Sequence, residues 1–203
     1  METVPVTDFI PTLRKMVNVP LPFMLTDALV KASQEFCRKS QEVVYTRKFD
    51  SVPAYSDVTL ISDSDLNAES RQFKSSVVLS ITAFDVGTGS RRPLSKIDDY
   101  TVHSRDVINF NNSFTDVQVL CAIEPTNTAT VLPVSLYEDY LSGVCSGAAS
   151  LLLTQPDSDW FDASLANHHQ ELFIAEVVTA KRFRLEANPE SKEERRSIKR
   201  TFY

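Results

Sequence analysis

Apolar residues recur every three or four positions at both ends of this chain and every second position in its middle. Ile10, Leu13 and Val17 predict a short helix over 8–17, capped by Thr7 or Asp8 and ended by Pro20 and Pro22. Thr26 is the expected N-cap of a longer helix reaching about Tyr45. Leu25, Leu29, Ala32, Phe36 and Val43 form its apolar face, and Lys31, Gln34, Glu35, Arg38, Lys39 and Glu42 its polar one. Between 46 and 132 the period changes. Segments 58–61, 77–84, 100–103 and 117–123 are rich in β-branched residues and separated by Ser, Asp, Asn, Gly and Pro.

Pro133 restarts the helical period. Ser135 and Glu138 have the spacing of a capping box, and the helix they open is expected to run to about Thr154. It contains Gly143, Ser146, Gly147, Ala149 and Ser150. A helical glycine costs about 0.8–1 kcal/mol, so two of them four apart predict the close approach of another backbone. Pro156 stops this helix and Asp162 or Ser164 caps the next, with Leu165, Leu172, Phe173, Val177 and Ala180 as its stripe. The fold expected is α+β: mainly a helical bundle (an N-terminal helix plus a C-terminal helical hairpin) with an inserted small antiparallel β domain. Residues 1–45 and 133–187 form the helical core, 46–132 the insertion, and 188–203 an extended docking tail. No internal repeat and no sustained heptad run is visible.

Charge sharpens this picture. The net charge is −6, but 1–187 hold 16 Lys/Arg against 24 Asp/Glu, while 188–203 hold five against three. From Asp106 to Ala180 there are ten acidic residues and no basic one. An acidic body is a poor design for gripping DNA, whose affinity comes mainly from neutralised phosphates. The tail, with Arg195, Arg196, Lys199, Arg200 and a terminal Phe202 and Tyr203, suits docking on an acidic protein surface. Cys37, Cys121 and Cys145 are far apart and lie in apolar segments, which predicts buried free thiols in a reducing compartment. Glu2, Pro5, Asp8 and Pro11 argue against a signal peptide, and no apolar run approaches a membrane span of about 20 residues.

Catalytic and metal patterns are weak. Adjacent helical residues point about 100° apart, so His168 and His169 cannot share one ion. His103 has no Cys or His near it in sequence. The acids Asp157, Asp159 and Asp162 imitate a calcium loop, but the sixth-position Gly is missing and His168 stands where a bidentate Glu belongs. Gly87-Thr88-Gly89-Ser90-Arg91-Arg92 fits neither a Walker loop nor a dinucleotide fingerprint and is expected to be a hairpin tip. No enzyme, cofactor or metal is expected.

The chain resembles the head-to-tail adaptor (connector) proteins of tailed bacteriophages. The resemblance rests on helix 28–41 with Glu35-Phe36-Cys37-Arg38, on 136–140, on the small-residue run 143–152, on loop 156–160 with Trp160, and on Ala166, Phe173, Ala175 and the pair Ala180-Lys181. It covers about two-thirds of the chain, and residues 46–132 match it in character alone. It implies a structural virion protein made in the host bacterial cytoplasm. Such a protein forms a ring, usually of twelve copies, in the virion neck between the portal protein and the tail nozzle or tail tube. DNA passes through the ring without specific binding, and the C-terminal segment reaches up the portal. Gly143 and Gly147, with Trp160 and Phe173, then mark helix–helix or subunit packing. The other readings are a related neck protein (head completion or tail terminator) and a nucleic-acid-binding module.

Overall fold

The computed structural model describes residues 1–61, 71–85 and 89–187. In chain order these form β1 (Thr3–Pro5), a 3-10 turn (Val6–Phe9), α1 (Ile10–Leu13), α2 (Pro22–Ser40), β2 (Val44–Val52), β3 (Ser56–Thr59), β4 (Phe73–Asp85) and β5 (Ser90–Pro93). There follow β6 (Tyr100–Ser104), β7 (Val107–Phe110), β8 (Phe114–Pro125), β9 (Val131–Pro133), α3 (Val134–Glu138), α4 (Leu141–Leu153) and α5 (Ala163–Ala187). The protein is α+β, with about 40% helix and about 33% strand in three antiparallel sheets, so the expected mainly helical bundle is corrected.

The long strands hide their period for a physical reason. β4 and β8 are 13 and 12 residues long. Register shifts at Ser75/Val77, Val78/Ser80 and Thr82/Phe84 break the alternation that marks a strand. Buried Ser75, Ser76 and Glu124 further disguise the inward positions. The apolar spacing carries the expected helix through Val43 to about Tyr45, whereas α2 ends at Ser40 and β2 starts at Val44. In the fold, Gln41 takes a left-handed φ of 58° and its N–H bonds Cys37 O at 2.9 Å, which ends α2 and turns the chain into the sheet.

The large sheet has the order β2-β8-β4-β5 and a smaller one β3-β7-β6, while β1 pairs with β9 and ties the chain's start to the entry of α3. Val119, Cys121 and Ile123 point to one side of β8, and Ala122 and Glu124 to the other. All five are fully buried, so this part of the sheet is covered on both faces. On one side lies α2, whose Gln34 amide donates to Pro125 O at 3.0 Å and whose Arg38 grips Glu124. Phe110 of β7 meets Tyr100 of β6 and Phe114 of β8 at ring separations of 6.4 and 6.0 Å, joining the two sheets.

The expected helix over 135–154 is two helices. Ser135 makes no capping bond, α3 ends at Glu138, and Tyr140 leaves helical geometry with φ −129° and ψ 20°. That break lets the Tyr140 ring pack on Phe36 at 5.0 Å and sends α4 into the core.

All three cysteines are buried free thiols. Burial pushes Cys37 far above the ordinary thiol range, Cys121 up to about 11 and Cys145 up to about 12. A thiol reagent reacts with the thiolate, so the folded protein at mild alkaline pH is expected to label slowly, with all three groups reacting once denaturant is added. Fast labelling of a native cysteine would contradict the packing around it.

Candidate interaction surface

Among the described residues no group of three or more His, Cys, Asp or Glu converges as metal ligands. No described helix is long and apolar enough to cross a membrane. What the fold offers instead is a helical layer with unusual faces.

α4 is its centre, with ten of 13 residues buried. Small side chains allow this. A Cβ built on Gly143 would lie 2.7 Å from Glu176 Cβ, and one on Gly147 would lie 2.6 Å from Phe173 Cδ2. Gly143, Gly147 and Phe173 therefore meet between α4 and α5 of one chain, and the close neighbour is a side chain of α5 rather than its backbone. Phe36 of α2 completes this packing, 6.1 Å from the Phe173 ring. Trp160 is half-buried in the α4–α5 loop against the same core, its indole N–H without a hydrogen-bond partner. Asp162 caps α5, its carboxylate accepting the Leu165 N–H at 2.9 Å.

The inward face of α5 is Ala166, His169, Phe173, Val177 and Ala180. Leu165 and Leu172, expected on that face, are exposed. The Phe173 ring fills the space over Gly147. His169 is held below the usual histidine range by burial and by neighbouring His168. At about 100° per residue, two further apolar stripes flank the buried one. Leu165, Leu172 and Phe183 form one; Ile174, Val178 and Leu185, 46%, 52% and 40% exposed, form the other. A helix apolar on this many faces has packing capacity beyond its own chain.

A groove of about 520 Å³ opens between α2 and the end of α4, lined by Phe23, Met24, Asp27, Ala28, Lys31 and Leu151. Phe23, 67% exposed, stands over it.

Seven of the 16 basic side chains among the described residues form ion pairs with acids. Arg38 makes a bidentate pair with Glu124 at 2.8 and 2.9 Å, and Lys74 approaches the same carboxylate at 3.3 Å. Arg71 is bonded to Asp106 and Arg91 to Asp116. Arg92 makes a second bidentate pair, with Asp99 at 3.0 and 3.1 Å. That guanidinium, with the Ser95 N–H, holds the Asp99 carboxyl below its ordinary range. Arg91 and Arg92, the bases of the expected hairpin tip, are thus neutralised within the sheet region. His103 sits 3.1 Å from Asp57. Burial raises Glu42 above the usual carboxylate range, Arg184 opposing this and Asp139 adding to it.

The tail residues Arg195, Arg196, Lys199, Arg200, Phe202 and Tyr203 lie outside the described residues. Sequence reasoning missed the second outward stripe of α5, because Ile174 and Val178 are recognisable as surplus only once the buried face is known. No protein-family model matches the chain, and no curated protein matches it significantly.

Proposed function

We propose that this chain is a structural virion protein, a head-to-tail adaptor that forms a ring between the portal and the tail and lines the DNA passage. The resemblance to phage connectors supplies the family, and one feature supports it independently: α5 carries exposed apolar stripes on both flanks of its buried face. A subunit of a closed ring has two neighbours and uses two different surfaces for them. The pairing of seven basic side chains (Lys31, Arg38, Lys39, Arg71, Lys74, Arg91, Arg92) with acids fits a wall past which DNA slides. It disfavours a nucleic-acid-binding module. On this reading the chain makes and breaks no bonds, carries no cofactor, and works in the virion neck.

The test is to mix the full chain with purified portal protein and image the product by negative-stain electron microscopy. A ring capping the portal is expected. A 1–187 truncation is expected to lose portal binding; equal binding by the truncation would remove the tail from the docking role, and no complex with the full chain would remove the adaptor reading.

A further inference from the structure

The Ile174/Val178 stripe of α5 has more order than a spare apolar face. Glu171, Ile174, Val178 and Lys181 are spaced three, four and three apart, all exposed and on one side of the helix. This is the spacing of alternating core positions in a coiled coil; exposed Leu185 extends it by one more step and, about the axis given below, lies opposite Asn167. Glu171 lies as far before the midpoint of Ile174 and Val178 as Lys181 lies after it. The charges of the surrounding segment follow the same division. Asp157, Asp159, Asp162, Glu171 and Glu176 precede that midpoint or sit on it with no base among them, and Lys181, Arg182 and Arg184 follow it with Glu186 as the one acid.

From this we infer that the free chain pairs with a second copy of itself through α5, the two helices antiparallel about a two-fold axis near residue 176. In that register Ile174 packs on Val178 of the second copy, and Val178 on its Ile174. Glu171 faces Lys181 of the second copy, and the two-fold repeats this pair on the other side. A parallel pairing sets Glu171 against Glu171 and Lys181 against Lys181, acid half on acid half. Complementarity therefore selects both the partner and its direction. Neither Glu171 nor Lys181 has a described ion pair within its own chain.

An acid-first, base-last helix also suits its own macrodipole, so the charge gradient alone does not distinguish pairing from local stabilisation. The symmetric placement around an exposed Ile/Val pair does. A two-fold contact is closed, whereas ring growth needs a head-to-tail contact. The pair thus covers one flank of α5 in the free chain, and ring formation must open it.

The experiment is sedimentation velocity of the full chain at about 100 μM, where a contact of micromolar affinity is saturated. A dimer is expected. Glu171→Lys, and separately Lys181→Glu, each create two like-charge pairs and should raise the dissociation constant at least about tenfold. The combined E171K/K181E chain restores both pairs with signs reversed and should recover the dimer. Both substitutions are on exposed positions, and unchanged circular dichroism of the three variants checks the fold. A monomeric wild type, a dimer indifferent to the single swaps, or a double swap that fails to recover it would each overturn the inference. None of these outcomes touches portal binding, so the adaptor reading is tested apart from it.

Discussion

Replacing Gly147 by leucine is expected to destabilise the protein by about 3 kcal/mol or more, at the upper end of what overpacking a closed core does. The first added carbon would lie 2.6 Å from the Phe173 ring, and the remaining atoms would have to enter space that ring fills. Phe173 cannot step aside cheaply, since it is 1% exposed and also packs on Phe36. For a chain of this size the midpoint of thermal unfolding should fall by about 6–12 °C. The smaller change Gly147→Ala provides the diagnostic. Combined with Phe173→Leu, which withdraws the ring, it should be less harmful than the sum of the two singles, because the sites share one volume. Strictly additive losses in a calorimetric cycle would show that the clash is relieved elsewhere.

Arg38→Met is expected to be the more damaging half of the Arg38–Glu124 pair. The Glu124 side chain is 0% exposed and that of Arg38 is 43% exposed. Removing the arginine leaves a buried carboxylate with only Lys74, 3.3 Å away, in place of two charge-assisted bonds. Breaking a buried pair from one side typically costs about 3–5 kcal/mol, and the remaining lysine sets the expectation near the lower figure. Glu124→Met removes the buried charge itself and leaves two cations that can turn to water, so about 1–2 kcal/mol is expected. Urea unfolding should show the midpoint of R38M well below that of E124M, with unchanged slopes. The double variant should resemble E124M alone. The opposite order would mean that Glu124 is reached by water.

Both predictions concern positions the linear pattern marked unequally. Gly143 and Gly147 stood out because glycine four apart inside a helix needs a reason, and the reason proved to be the side chains of Glu176 and Phe173. Glu124 was invisible: it ends a period-two run as an ordinary outward residue would, and only α2 lying over that face makes it buried. The helices were legible where a strong local signal bounds them, such as Asp162 as the cap of α5. They were not legible where tertiary packing overrode local preference, as at Tyr140, whose ring is drawn to Phe36, and at Gln41, where α2 stops short.

What the chain determines locally is its set of elements and its charge plan: apolar periods, proline stops, an acidic body, and a basic tail with Phe202 and Tyr203 at its end. These follow from short-range sterics and solvation, which act between near neighbours in sequence. What only the tertiary structure decided is which faces are used. Strand length beyond a bulge, the burial of Glu124, and the choice of Ala166 and His169 over Leu165 and Leu172 as the inward edge of α5 all depend on what lies opposite. A residue's own periodicity can say that a face is apolar, but the shape of the facing surface selects which apolar face is buried and leaves the others for a partner.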